Sequence, residues 1–165
     1  MGEHLEFESE LWKAANKMRG SIESSQYKHV VLSLMFLKYL SDAFEERRES
    51  IRKRMDDKDD SLYEEDEEER KEILDDPDRY GGVFFVPELS RWSMLKSKVN
   101  DPELPSMMDK AMELIETDNK KLLHNVLPKV FVRTRVPYET LGELVNIFTK
   151  IGFGTTEAKA KDTLG

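Results

Sequence analysis

Apolar residues early in the chain, Phe7, Leu11, Trp12, Ala15, Met18 and Ile22, recur three and four apart, which is one stripe of an amphipathic helix. The pattern predicts a helix over about 8–19, interrupted near Gly20. Ser24 or Ser25 can cap a second helix running from about 26 to 55. Between Val30 and Leu40 the apolar residues surround the whole circumference, so this helix is expected to lie buried between others. From Asp42 to Arg54 most positions are charged, and that half is expected to project into water.

The pattern then changes. Residues 56–78 carry 14 acids against three bases, with only Leu62, Tyr63, Ile73 and Leu74 as apolar anchors. Mutual repulsion predicts a mobile or lightly docked acidic insertion over 56–80, with a short helix near 65–74. After Gly81-Gly82, Val83-Phe84-Phe85-Val86 reads as a short strand. Ser90 can cap a short helix carrying Trp92, Leu95 and Val99, and Pro102 and Pro105 frame another over about 106–117, with Met108, Ala111, Met112 and Ile115 inward. Val130-Phe131-Val132 reads as a second strand, and its expected partner is Val83 to Val86, because a lone short strand cannot satisfy its own backbone. Pro137 opens a last helix whose stripe Leu141, Leu144, Val145, Phe148 and Ile151 stops at Gly152. The expected fold is mainly α: a bundle of five to six helices, one small two-stranded β element and a mobile acidic insertion, as a single domain over 1–165.

Composition sharpens this picture in two places. The net charge of -8 comes from one segment: residues 42–79 hold 18 acids and nine bases, and everything outside them sums to about +1. Global acidity is therefore no argument against a nucleic-acid partner. The absence of cysteine excludes disulfide scaffolds, thiolate metal sites and cysteine nucleophiles. No apolar run approaches the 18 or more residues of a membrane span, so a cytoplasmic protein without a membrane partner is expected.

Catalytic and metal-binding constellations are missing from the sequence. His4, His29 and His124 have no second histidine at metal-ligand spacing, and His29 falls where a structural imidazole is expected. Gly152-Phe153-Gly154 supplies only the start of a phosphate-cradling turn, with Glu157 at the third position and a helix ahead of it. The acids of 64–69 lack the glycine and the spaced oxygens of a calcium loop. No catalytic, cofactor or metal residue is assigned.

The stretch 120–161 is different. It holds eight bases against three acids, a local excess of +5. Lys120, Lys121, Lys129, Arg133 and Arg135 are the candidate DNA-binding residues. Arg133 and Arg135 alternate with Val132, Thr134 and Val136, so an extended backbone would point both guanidinium groups to one side as a phosphate grip. The competing reading is an ordinary basic surface balancing the acidic insertion. Arg47, Arg48 and Arg52 form a second candidate surface, for protein partners.

Several strings together carry a family resemblance: Leu11-Trp12-Lys13-Ala14-Ala15, Met18-Arg19-Gly20, Tyr27-Lys28-His29-Val30-Val31-Leu32 and Phe36-Leu37-Lys38-Tyr39-Leu40-Ser41-Asp42-Ala43-Phe44. Phe85-Val86-Pro87, Arg91-Trp92, Val126-Leu127-Pro128 and Leu141-Gly142-Glu143-Leu144 continue it. In these the chain resembles the N-terminal helical domain of the modification (DNA methyltransferase) subunit of type I restriction-modification systems, along nearly its whole length. The resemblance implies a parent enzyme that methylates the exocyclic amine of adenine from S-adenosylmethionine. It also implies double-stranded DNA, a specificity subunit, a second modification subunit and a restriction subunit as partners. The Asn-Pro-Pro-Phe/Tyr motif of such enzymes is absent, so the implied catalytic domain is expected after Gly165 and this region as a non-catalytic cap. Two other readings remain open at this point: an acidic DNA-mimic anti-restriction protein, and a freestanding helical adaptor without a DNA role.

Overall fold

The computed structural model describes residues 23–123 and 126–150 and, ahead of them, Ser9, Trp12, Lys13 and Asn16. The helix predicted over 8–19 falls mostly outside these residues, although the four that are described there are helical. Gly152 to Gly154, His4 and His124 also lie outside them.

Five α-helices are described: α1 (Ser24–Asp56), α2 (Glu67–Leu74), α3 (Trp92–Lys96), α4 (Leu104–Asp118) and α5 (Tyr138–Thr149). Short 3-10 turns fall at Pro77–Arg79 and Glu88–Ser90. Helix α1 has 33 residues, about 50 Å at the α-helical rise, and is the spine of the molecule. Helix α5 packs on α1, α3 and α4, and α2 packs on the outer half of α1. The predicted ranges of α1, α2, α4 and α5 agree with the structure to within a few residues, because each rests on a long apolar stripe or a capped run.

The two-stranded β element does not form; no strand occurs among the described residues. Both segments find side-chain partners instead. Phe85 N–H donates to Asn119 Oδ1 at 3.0 Å and Asn119 Nδ2 donates back to Phe85 O at 2.9 Å, so a side-chain amide imitates a neighbouring strand. At the second segment the Asp109 carboxylate accepts from Phe131 N–H and Val132 N–H, both at 3.1 Å, and residues 131–135 wind into a turn.

The acidic insertion is held on the bundle rather than standing off it. Most of its acids face water, and bases of α1 hold it through two backbone carbonyls and one carboxylate. Arg48 donates to Leu74 O at 3.3 Å, Arg47 to Gly81 O at 2.5 Å, and Arg54 pairs with Asp60 at 3.0 Å. Arg70 reaches back to Asp56 at 2.6 Å. Asp66 caps α2 by accepting from Glu68 N–H and Glu69 N–H, and Glu67, Glu68 and Glu69 suit the positive end of its dipole. Tyr80, 1% exposed, closes the insertion: its hydroxyl donates to Leu74 O at 2.7 Å and its ring stacks on Phe44. The outer half of α1 accordingly does not stand in water all round, since Phe44, Ile51 and Met55 are buried beneath this segment.

Three further expectations need correction. Ser90 caps no helix; it lies in a 3-10 turn and its hydroxyl donates to Ala111 O at 2.8 Å. The first half of α1 is buried on one side only, as Leu32, Phe36 and Tyr39 are exposed. His29 is exposed too, and is no structural imidazole of the core.

Gly142 marks a close approach of α5 to the chain after α3. A Cβ there would meet Val99 O at 2.7 Å and Val99 Cβ at 3.2 Å, and a backbone oxygen cannot swing aside. Gly142→Ala should therefore destabilise the domain by about 1–2 kcal/mol, overcoming the roughly 1 kcal/mol that alanine's helix propensity contributes. Urea unfolding of the two proteins checks this, and a more stable variant would contradict the tight approach of α5 to Val99.

Candidate nucleic-acid interface

Helix α4 presents two faces. Leu104, Met108, Ala111, Met112 and Ile115 enter the core. Asp109 and Glu116, two turns or about 10 Å apart, bind the segment that runs back along the helix over 126–135. Glu116 is buried and accepts from Val126 N–H at 2.7 Å, from Leu127 N–H at 3.4 Å and from the Lys129 ammonium. Burial alone would raise its pKa. The Lys129 ammonium and the two amides outweigh burial and hold the carboxyl below the usual glutamate range. Asp109 fixes the following turn, and Leu127, Val130, Phe131 and Val136 anchor the segment in the core.

This arrangement leaves the basic side chains on the outer side. Arg133 and Arg135 are exposed on the turn over 131–135, which Thr134 N–H closes on Val130 O and Arg135 N–H on Val132 O, both at 3.0 Å. They do not form the extended comb. The physical reason is that Asp109 satisfies two consecutive amides, which bends the chain where a strand would run straight. Lys120 and Lys121 are exposed in the turn after α4. Lys129 belongs to the same segment as the arginines, but its ammonium is paired with Glu116 and also lies 3.5 Å from Leu127 O. Exposed Leu122, Val126 and Val132 interleave with these bases.

Arg135 has φ 58°, the only left-handed non-glycine residue among those described. That conformation costs an L-residue about 1–2 kcal/mol. Arg135→Gly should leave stability unchanged or raise it by up to about 1 kcal/mol, measured by thermal melting; a clear loss of stability would show that the Arg135 side chain supports the fold.

Sequence reasoning missed Asp109, Glu116 and Asn119. Glu116 carried a readable signal: it stands four residues after Met112, where the stripe calls for an apolar residue. Asp109 and Asn119 carried none, because the amides they accept from lie 22 and 34 residues away. Among the described residues no group of three or more metal-ligating side chains occurs, and no helix is long and apolar enough to cross a membrane.

The described residues thus form a mainly helical domain with a bound basic segment on its rim. A family model described as "HsdM N-terminal domain" matches residues 7–148, and the chain belongs to that family. Over 162 residues, 97% of this chain, it is 38% identical to the Type I restriction enzyme MjaIX methylase subunit of Methanocaldococcus jannaschii. The match covers 29% of that protein, so the chain spans less than a third of its relative's length. The resemblance in the sequence strings is borne out, and the mainly helical architecture with it.

Proposed function

We propose that this chain is a non-catalytic helical cap of a type I methylase subunit, and that its basic rim grips the phosphates of double-stranded DNA. The observation that carries the reading is the use of acids around the segment 126–135: Glu116 and Asp109 are taken up by backbone amides and Lys129, while Lys120, Lys121, Arg133 and Arg135 reach outward. Guanidinium groups presented on a fixed turn suit bidentate phosphate contacts. Lys129 sits behind them, fastening the segment through Glu116. The parent enzyme would transfer a methyl group from S-adenosylmethionine to adenine in a cytoplasmic complex with a specificity subunit, a second modification subunit and a restriction subunit. Of the second candidate surface, Arg47 and Arg48 are taken up by Gly81 O and Leu74 O, which leaves exposed Arg52 on the outer half of α1 to face those subunits.

The described residues offer S-adenosylmethionine no seat. Their one glycine pair, Gly81-Gly82, follows no strand, and Arg47 already holds Gly81 O. The cofactor would be held by the implied catalytic domain.

Duplex-DNA binding by this chain, followed by fluorescence anisotropy between 50 and 200 mM salt, tests the proposal. Replacing both arginines (Arg133→Ala and Arg135→Ala) should weaken binding and reduce the salt slope by about one unit per lost contact. Unchanged affinity and slope would sink the DNA reading and favour the adaptor.

A further inference from the structure

A phosphate grip accounts for the cations of the rim and leaves its apolar side chains without a task. Leu122 is 73% exposed, the most exposed large apolar side chain among the described residues, and Val126 is 65% exposed. Lys120 and Lys121, immediately before Leu122, are exposed as well. The two lysines suit the negative end of the α4 dipole. No such reason applies to a leucine, which at the same place holds apolar surface in water.

The turn that carries Leu122 is fixed from beneath. Asn119 O accepts from Leu122 N–H at 3.0 Å and from Leu123 N–H at 2.8 Å. The Asn119 side chain is tied to both backbone polar groups of Phe85 and donates to Ile115 O at 2.7 Å. Leu123 is buried and anchors the turn in the core. A leucine on a free loop would fold back against the surface. On this turn Leu123 takes the core position, and Leu122 is held outside. Glu116 binds Val126 N–H about one helical turn before Asn119, and Arg133 and Arg135 stand about two turns further back, on the turn that Asp109 fixes. The rim thus combines a rigid apolar tip with cations beside it and again along α4.

We propose that Leu122 is a wedge: with Lys120 and Lys121 on phosphates, it enters the minor groove of duplex DNA, unstacks a base step and kinks the duplex. The wedge presupposes the duplex partner proposed for the rim and adds a bend to it. A duplex suits the tip because it sets dense negative charge outside and stacked apolar base faces within a side chain's reach. An anionic lipid surface also pairs charge with an apolar interior, but it is gripped by a whole apolar helix face, which this turn does not have.

A duplex of about 20 base pairs with a donor and an acceptor dye at its ends and a central TA step, which unstacks readily, tests the proposal with this chain. Saturating protein should raise energy transfer, as for a bend of about 20–90°. With a stiff A-tract at the centre the rise should be about twofold smaller. Leu122→Ala should lose about half of the rise or more and keep the salt slope, since no phosphate contact is removed. Leu122→Met keeps an apolar tip and should keep the bend. Binding without a change in energy transfer, or an equal change with Leu122→Ala, overturns the wedge and leaves the phosphate grip standing. Absence of wild-type binding to the duplex overturns both. Binding to phosphatidylserine vesicles that Leu122→Ala abolishes would assign the tip to a lipid surface and overturn the wedge.

Discussion

Phe44→Ala should lower the unfolding free energy by about 3–5 kcal/mol, the range for emptying a fully buried aromatic site. Phe44 has no exposure, stacks on Tyr80 with ring centroids 4.8 Å apart and meets Phe85 edge-on at 5.1 Å. The Arg91 guanidinium lies 4.9 Å from the Phe44 ring, and burial, with the Arg48 charge nearby, pushes its pKa down. These rings join three parts that are distant in sequence: the middle of α1, the end of the acidic insertion, and the extended residues after Gly82. The loss should lower the melting temperature by about 6–20 °C for a chain of this size. It should also loosen residues 56–80 more than α4 or α5, because Tyr80 loses the surface against which it closes that segment. Calorimetry gives the first quantity and residue-resolved hydrogen exchange the second. A loss below about 1 kcal/mol would mean that the three rings do not hold the insertion in place.

Elements whose stability rests on their own periodicity were readable from the sequence. The stripe of α5 and the Met108 to Ile115 face of α4 lie where the spacing puts them. What was not readable depended on partners far along the chain. The acids of 56–78 repel one another in isolation, and nothing local shows that Arg48 and Arg47 on α1 would hold the backbone at Leu74 and Gly81 and Arg54 the Asp60 carboxylate. Phe85 and Phe131 have strand-like neighbours, yet the atoms that satisfy their amides come from Asn119 and Asp109 on and just after α4. The same limit applies to the candidate interface. Charge counting located the basic residues, but not the distinction between Lys129, which fastens the segment to Glu116, and Arg133 and Arg135, which stand on the turn outside it.

Glu116 tests that distinction most directly. Glu116→Ala removes the acceptor for the amides of Val126 and Leu127 and the partner of Lys129. Unsatisfied amides cost about 1–3 kcal/mol each when they stay buried, and exposed Val126 can recover part by hydration, so the expected loss is about 2–4 kcal/mol. Glu116→Gln keeps one acceptor and should lose about half as much. The pH dependence has a definite sign. The folded-state pKa lies below the ordinary glutamate value of 4.5, so the stabilisation is whole above that value and is lost as pH falls through the lower, folded-state pKa. Urea unfolding at a series of pH values should show the wild-type advantage over Glu116→Gln constant near neutrality and shrinking below about pH 4.5. An advantage that persists unchanged into strong acid would mean that the ionised carboxylate does not hold the segment. The DNA readout separates fastening from gripping: a loosened segment presents Arg133 and Arg135 from a mobile chain, so Glu116→Ala should weaken duplex binding while leaving the number of basic contacts, and hence the salt slope, nearly unchanged. A slope that drops as it does for the double arginine variant would mean that the loosened segment no longer brings Arg133 and Arg135 to phosphate, and a slope that rises would mean that the freed Lys129 ammonium takes up a phosphate contact.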